Sequence, residues 1–302
     1  MTYLVSLISE HLLPNFLFIK EMEGKYDELL FVTTQEMEDK AISNRLEKAL
    51  GLNNRSVGCI KVFNDNLNKT IGELKESQSS FSDGDEFIVN ITGGTKLISI
   101  AVYEHFKALN TLFYYIPISK NTIYNVQTAT EEPMKYQINV KEYLALYGLT
   151  FTCENTVKRQ DNKGAVFETY ICNHIKNEKR LKEGFIYRGV KLFRADSGKV
   201  NDNEIDVIWT AGNQIFVSEC KVSLRSNPMT TAPEYLDQIM YKLAAISKDF
   251  GLRVNPYIFT QHNLYSTDFN EARKKAIEKR MKILGIKGLY GKNELKENKL
   301  NL

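Results

Sequence analysis

The first 116 residues alternate between short apolar runs and helical patterns, and this alternation restricts the fold more than any other feature of the chain. The apolar runs lie at residues 3–7, 29–32, 57–63, 87–91 and 111–116. Helical patterns begin near Gln35 and Thr95 and follow the second and fourth runs. Strands that alternate with helices form parallel βαβ units. We therefore predict an α/β domain with a doubly wound parallel sheet.

Two loops of this predicted sheet follow strands and have the composition of a ligand site. Ligands of open α/β sheets bind outside the carboxyl ends of the strands. One loop spans residues 6–15, and the other, residues 90–96, has the sequence Asn-Ile-Thr-Gly-Gly-Thr-Lys before a helix. Glycines admit a close approach of the backbone, and a helix start offers N–H groups to phosphate. An ordinary tight turn with a capped helix explains the second loop equally well.

The strand that ends in Asn-Ile-Thr-Gly-Gly-Thr-Lys resembles those of the CARF domains in CRISPR-associated proteins. Those domains are Rossmann-like, dimeric sensors of cyclic oligoadenylates in type III CRISPR immunity. The resemblance implies a homodimer that binds a cyclic oligoadenylate, with cyclic tetra-adenylate as the activator. It also implies a ligand site formed by Ser9, Glu10, Thr92, Gly93, Gly94, Thr95 and Lys96.

Chain length predicts a second domain, because 302 residues exceed the usual span of one hydrophobic core. We place a CARF ligand-sensing domain at residues 1–145 and a second domain at 146–302, which includes a polar linker at 152–163. A hairpin of residues 122–126 with 136–140, followed by a helix at 141–149, is expected before the boundary.

Composition and the N-terminal sequence exclude few other classes of protein. The formal net charge of +3 is too small to identify a nucleic-acid partner. The four cysteines form no Cys-x-x-Cys pair, which argues against a structural zinc site and for reduced thiols. The N-terminus lacks signal-peptide features and no apolar run has membrane-spanning length, so we expect a cytoplasmic protein without a membrane partner.

The strongest chemical signal in the second half is a predicted hairpin with acidic residues on both strands. Residues 203–210 and 214–222 are rich in β-forming side chains and flank a Gly212-Asn213 turn. In that register Ala211 faces Gln214, and Asp206 falls opposite Glu219. Lys221 lies two residues beyond Glu219 and therefore on the same face.

Two opposed carboxylates in an apolar sheet repel each other and lose hydration. A divalent cation would relieve both costs, and Mg²⁺ prefers such oxygen ligands. The alternative is a Glu/Lys ladder on a solvated strand. A helix at 164–175 carries Glu168 on the face of its apolar residues, where the alternative is a structural ion pair with Arg or Lys.

The pattern of a helix Glu, a strand Asp and Glu-x-Lys resembles the PD-(D/E)xK nuclease superfamily, with Ile205 in place of its proline. The resemblance implies a C-terminal restriction-endonuclease-like α/β domain. Its catalytic residues would be Glu168, Asp206, Glu219 and Lys221. Asp206, Glu219, the Cys220 backbone carbonyl and Glu168 would hold Mg²⁺ or Mn²⁺, and Lys221 would orient water or stabilise phosphate charge. The Cys220 thiol would only pack.

A helix over residues 235–246 would bring Gln238 and Tyr241 to one face as substrate contacts, against a simple surface role. The basic stretch 273–280, with Arg225 and Lys242, would either follow a nucleic-acid backbone or form a solvated face. The complete prediction is a homodimeric metal-dependent nuclease for DNA or RNA, activated allosterically by cyclic oligoadenylate. Two alternatives are a CARF regulator that binds nucleic acid without cutting it, and a ring nuclease that degrades its ligand.

Overall fold

The computed structural model describes residues 1–52, 57–118, 120–153, 162–195, 200–225 and 230–296. These residues form two compact units, Met1–Gln137 and Ile138–Leu302. The polar linker predicted at 152–163 includes residues 154–161, which lie outside the described residues. No helix in the described part of the chain is long and apolar enough to cross a membrane.

The first unit is built on one mixed sheet of seven strands in the order β3-β2-β1-β4-β5-β6-β7. The strands β3, β2, β1, β4 and β5 are parallel, and β6 and β7 add an antiparallel hairpin. The strand bounds are β1 Thr2–Leu7, β2 Glu28–Thr33, β3 Gly58–Lys61, β4 Glu86–Asn90, β5 Asn110–Tyr115, β6 Thr122–Asn125 and β7 Thr130–Pro133. The helix bounds are α1 Leu13–Glu21, α2 Gln35–Asp39, α3 Ile42–Leu50, α4 Leu67–Ser77 and α5 Lys96–Phe106.

The strand order of this sheet reverses between β1 and β4, because β1 continues toward β2 on one side and β4 continues toward β5 on the other. Such a reversal leaves a crevice outside the carboxyl ends of the two strands. Both predicted ligand loops start at these ends, one after Leu7 and the other after Asn90. The predicted parallel α/β arrangement is confirmed, and it brings the two loops to the same edge of the sheet.

Two local predictions for the first unit are wrong. The helical pattern that begins at Gln35 is split into α2 and α3, because Ala41 has a left-handed backbone with φ of 52°. The partner of β6 is Thr130–Pro133 rather than residues 136–140. All four residues of β7 are exposed, so no apolar alternation marks it as a strand.

The second unit has a six-stranded sheet in the order β13-β12-β11-β10-β9-β8, flanked by helices. Strands β8 to β11 are antiparallel neighbours, and β11, β12 and β13 are parallel. The strand bounds are β8 Leu149–Thr152, β9 Ile186–Arg194, β10 Val200–Ala211, β11 Gln214–Lys221, β12 Val254–Thr260 and β13 Gly288–Tyr290. The helix bounds are α6 Val140–Leu146, α7 Lys163–Glu178, α8 Ala232–Ser247, α9 Glu271–Leu284 and α10 Lys292–Lys296.

The turn between β10 and β11 also supports the start of the second unit. Asn213 is buried, has a positive φ of 58°, and accepts a hydrogen bond of 2.8 Å from the Ile138 backbone N–H. A buried donor that loses its acceptor costs about 1–3 kcal/mol. We therefore expect Asn213→Ala to lower the free energy of unfolding by about that amount in urea titrations. Asn213→Asp keeps an acceptor oxygen and should cost less, and equal losses in the two variants would contradict this assignment.

Candidate functional site

The β10–β11 hairpin positions the predicted catalytic residues. Gly212 and Asn213 both have positive φ, 55° and 58°, as a two-residue type I′ turn requires. The register runs from Ala211 opposite Gln214 to Val207 opposite Ser218, which confirms the predicted pairing over these positions. Asp206 and Glu219 come directly after the last of these pairs. Strand alternation therefore gives both side chains the same face.

Lys221 lies where three oxygen atoms of this hairpin converge. Its Nζ is 2.6 Å from Glu219 Oε1, 3.4 Å from Asp206 Oδ2 and 3.3 Å from the Cys220 carbonyl oxygen. An ammonium group has three N–H donors, so these contacts can use all of them. The structure thus brings together Asp206, Glu219, Lys221 and the Cys220 carbonyl around a point that already holds a cation.

Asp206 and Glu219 are both buried, with 8% and 3% of their surface exposed. Burial and the negative charge of Glu219 raise the pKa of Asp206 to about 7. The Cys220 N–H, which donates to Asp206 Oδ2 at 2.6 Å, and the Lys221 charge oppose this rise. Burial lowers the pKa of Lys221, but Asp206 and Glu219 outweigh it and hold that pKa above its ordinary value. The hairpin therefore concentrates negative charge that a cation stabilises.

Glu168 lies on helix α7, which packs on one face of the sheet. Helix α7 packs through Phe167, Ile171 and Ile175 against a cluster that includes Val207 and Cys220, whose side chains point away from Asp206 and Glu219. Glu168 forms an ion pair with the buried Arg188, 3.7 Å between Oε2 and Nη1. It is still close enough that its charge contributes to the raised pKa of Asp206.

Helix α8 covers the opposite face and brings Lys242 to the site, a residue for which the sequence predicted a nucleic-acid contact or a solvated face but no contact with Glu219. Lys242 Nζ lies 3.1 Å from Glu219 Oε1 and 3.2 Å from Oε2. Gln238 is exposed one turn before Lys242, so the two share a helix face. Tyr241, three residues after Gln238 on α8, contacts Arg280, which stacks over its ring and donates to its hydroxyl. The i,i+4 spacing, which puts Lys242 on the same helix face as Gln238, was the sequence signal that could have linked Lys242 to this site.

Metal binding at this site would need backbone and water oxygens as well as side chains. Within the described ranges, no group of three or more His, Cys, Asp or Glu side chains is placed to hold a metal ion. The two carboxylates and the Cys220 carbonyl are nevertheless hard oxygen donors, the type that Mg²⁺ and Mn²⁺ bind. Their convergence around the Lys221 ammonium shows that these oxygens stabilise a positive charge beside them.

The second candidate site is the loop between β4 and α5. A Cβ atom on Gly93 would stand 1.9 Å from the Leu7 carbonyl oxygen, so only glycine allows this approach to the end of β1. Gly94 has a φ of 74°. Thr95 is the N-cap of α5 and accepts from the Ile98 N–H at 3.4 Å, as predicted. Lys96 is exposed at the start of that helix.

Buried amides lie beneath this loop. Asn90 Oδ1 accepts from the hydroxyl and the N–H of Thr92, and Asn15 donates to Ser6 and to the Leu7 carbonyl. Asn15 Oδ1 and Asn90 Nδ2 are buried and have no hydrogen-bond partner among the described residues. Unpaired buried polar atoms are costly, which points to a ligand or water at this edge of the sheet.

An ion pair joins the first loop, residues 6–15, to the end of α2. Glu10 is exposed and forms an ion pair with Lys40, which lowers the pKa of that carboxyl. Lys40 also pairs with Glu36 at 2.7 Å. Ser9 is half-buried beside Glu10. Lys40 joins this charged group from the end of α2, 30 residues along the chain, and the sequence pattern did not identify it.

Known structures share this fold over nearly the whole chain. Can2 from Sulfobacillus thermosulfidooxidans, solved with cyclic tetra-adenylate, has a TM-score of 0.73 at 18% identity and covers 98% of this chain and 97% of its own. Protein VC1899 from Vibrio cholerae has a TM-score of 0.77 at 14% identity, covering 98% and 95%. A type III CRISPR defence DNA nuclease activated by cyclic oligoadenylate has a TM-score of 0.58 at 15% identity, covering 86% and 45%.

These structural similarities, at such low identity, establish the fold alone. Comparison with curated proteins finds no match. In contrast, residues 3–143 match a family described as the Card1 CARF domain, and this range includes the seven strands of the first sheet except for Thr2, the first residue of β1. The first unit therefore has the Rossmann-like fold of a CARF domain and matches the Card1 CARF family model, and the full chain shares its two-sheet α/β fold with Can2.

Proposed function

We propose that this protein is a metal-dependent nuclease that a cyclic oligoadenylate activates, and that it acts in type III CRISPR defence. The observation that carries the proposal is the convergence of Asp206, Glu219 and the Cys220 carbonyl on one cation-binding point. The CARF domain supplies the regulatory half of the argument. Can2 binds cyclic tetra-adenylate, and the CRISPR defence nuclease of similar fold is activated by cyclic oligoadenylate.

The catalytic centre would use four side chains of the second unit. Asp206, Glu219 and the Cys220 carbonyl would hold Mg²⁺ or Mn²⁺, with Glu168 completing the set after release from Arg188. A bound cation lowers the pKa of water and neutralises phosphate charge. Lys221, next to both carboxylates, would orient the attacking water or stabilise the charge that develops on the phosphate. Burial keeps the carboxylates away from bulk water and strengthens these interactions.

The activator would bind at the edge of the first sheet, between the loop after β1 and the loop after β4. The backbone of Thr92, Gly93 and Gly94 would approach it, and Thr95 and Lys96 at the start of α5 would favour its phosphates. Ser9 and Glu10 would contact it from the first loop. The partnerless amide atoms of Asn15 and Asn90 support a polar ligand there.

A homodimer follows from the symmetry of such a ligand, because a cyclic molecule on a two-fold axis meets the same loop from each chain. Helix α5, which begins at this loop, supports it. Its residues Leu97, Ile100 and Tyr103 recur every three positions and are all exposed. An exposed apolar stripe of this kind is typical of an interface. Ligand binding would then shift the populations of inactive and active arrangements.

The proposal predicts cleavage that needs both a divalent cation and the cyclic ligand. Supercoiled DNA, single-stranded DNA and RNA should be incubated separately with Mn²⁺ or Mg²⁺, with and without cyclic tetra-adenylate or cyclic hexa-adenylate. We expect cleavage of DNA, RNA or both, strong stimulation by one of the two ligands, and no cleavage in EDTA.

Other results of this experiment identify a different function. Ligand-dependent binding of nucleic acid without cleavage would indicate a CARF regulator. Linear products from the cyclic ligand alone would indicate a ring nuclease.

A further inference from the structure

Glu219 is held by two ammonium groups that differ in how firmly they are fixed. Lys221 contacts three oxygens, and 26% of its side chain is exposed. Lys242 reaches Glu219 from helix α8, and 42% of its side chain is exposed. Both described hydrogen bonds of Lys242 go to the Glu219 carboxylate, at 3.1 Å and 3.2 Å. Lys242 is therefore the ammonium that can leave Glu219 at lower cost.

The charges of the site balance in this arrangement when both carboxylates are ionised. Two carboxylates, Asp206 and Glu219, lie with two ammonium groups, Lys221 and Lys242. A divalent cation at the same oxygens would leave an excess of two positive charges unless an ammonium moved away. Like charges a few ångströms apart repel strongly in a partly buried site. Cation binding and the Lys242–Glu219 ion pair therefore compete.

We infer that Lys242 is a positioning residue of the nuclease centre, an inference that rests on the proposed function. Before the cation binds, Lys242 neutralises Glu219 and keeps this buried carboxylate in place. When the cation binds, the Lys242 side chain turns toward solvent along the exposed edge of α8. There its charge meets the phosphate backbone of the nucleic acid.

The competition can be measured without catalysis. Mn²⁺ binding should be titrated calorimetrically without nucleic acid for the wild type and for Lys242→Met, which removes the charge and keeps a strong helix former. Loss of a competing, partly exposed ion pair should tighten Mn²⁺ binding by about fivefold. Lys242→Arg keeps the charge and should restore the wild-type affinity. Lys248→Met, at the exposed end of α8, is the matched control and should also bind like the wild type.

The second role of Lys242 changes substrate affinity. In ligand-activated cleavage, Lys242→Met should raise KM more than it lowers kcat. The affinity of this variant for nucleic acid should also depend less on salt concentration, by the amount that corresponds to about one lost phosphate contact. A purely structural lysine would change neither Mn²⁺ affinity nor the salt dependence.

The outcomes distinguish this inference from the proposed function. If Glu219→Gln loses Mn²⁺ binding and Lys242→Met binds Mn²⁺ no better than the wild type, the role of Lys242 is overturned and the nuclease centre stands. If the wild type itself binds no Mn²⁺ and cuts nothing, both are overturned. Tighter Mn²⁺ binding in Lys242→Met, reversed by Lys242→Arg, supports the inference.

Discussion

Asp206→Asn should reduce cation-dependent cleavage by on the order of a thousandfold while the protein remains folded. The substitution removes one negative charge from the point where Asp206, Glu219 and the Cys220 carbonyl converge. An asparagine oxygen can still accept the Cys220 N–H, so the local backbone keeps its hydrogen bond. Initial cleavage rates at saturating cyclic ligand and Mn²⁺ measure the effect.

Measurements of the free energy of unfolding distinguish a loss of catalysis in Asp206→Asn from a loss of the folded state. The folded protein keeps a proton on Asp206 up to about pH 7, whereas the unfolded chain loses it near the ordinary pKa of 3.8. The folded state then binds more protons than the unfolded state, so the free energy of unfolding falls as pH rises through this range. In EDTA the wild type should lose at most about 4 kcal/mol between pH 4 and pH 7 from this group. Asp206→Asn should lack that loss and be more stable at pH 8.

The matched control is Asp249→Asn, which breaks an exposed ion pair with Arg194 in the same unit. It should keep wild-type cleavage. Wild-type activity in Asp206→Asn would exclude Asp206 from the catalytic centre. We expect a stable, inactive Asp206→Asn protein, because the substitution removes a charge from the site without removing a hydrogen bond from the backbone.

Sequence alone predicted the part of this site that depends on local chemistry. A Gly-Asn turn allows few hairpin registers, so the pairing of β10 with β11 followed from residues that are close in the chain. The same holds for Thr95, whose capping role depends on its immediate neighbours. Both features depend on residues that lie only a few positions apart in the chain.

Tertiary contacts determined what the sequence did not predict. The sequence named Lys242 as a possible nucleic-acid contact but not its pairing with Glu219, which lies 23 residues away and is joined to it only by the packing of α8 on the sheet. The sequence allowed an ion pair of Glu168 with an Arg or Lys but not its partner, because Arg188 lies on β9, an element that the apolar pattern did not identify. The β7 strand is exposed and charged, so its pairing with β6 leaves no hydrophobic period to detect. In each case, the neighbouring sequence gives the residues no preference for the contact or the strand that they form.

Gly93→Ala should abolish stimulation by the cyclic ligand and destabilise the first unit. The added Cβ would stand 1.9 Å from the Leu7 carbonyl oxygen and 2.9 Å from its carbonyl carbon, both backbone atoms of β1. Backbone cannot rotate away as a side chain does, so the loop must move from the end of β1. Overpacking of this kind costs about 1–3 kcal/mol. Cleavage rates with and without cyclic tetra-adenylate measure the stimulation, calorimetric titration measures ligand binding, and thermal unfolding measures the stability.

Gly72→Ala is the matched control, because Gly72 lies inside α4 and a Cβ there meets no atom within 4 Å. That variant should gain up to about 1 kcal/mol of stability from helix propensity and respond to the ligand like the wild type. Mn²⁺ binding should be unchanged in both variants, because the proposed cation site belongs to the second unit. Wild-type stimulation in Gly93→Ala would mean that the ligand does not use this loop. Lost stimulation with intact Mn²⁺ binding would instead assign sensing to the first unit and cutting to the second.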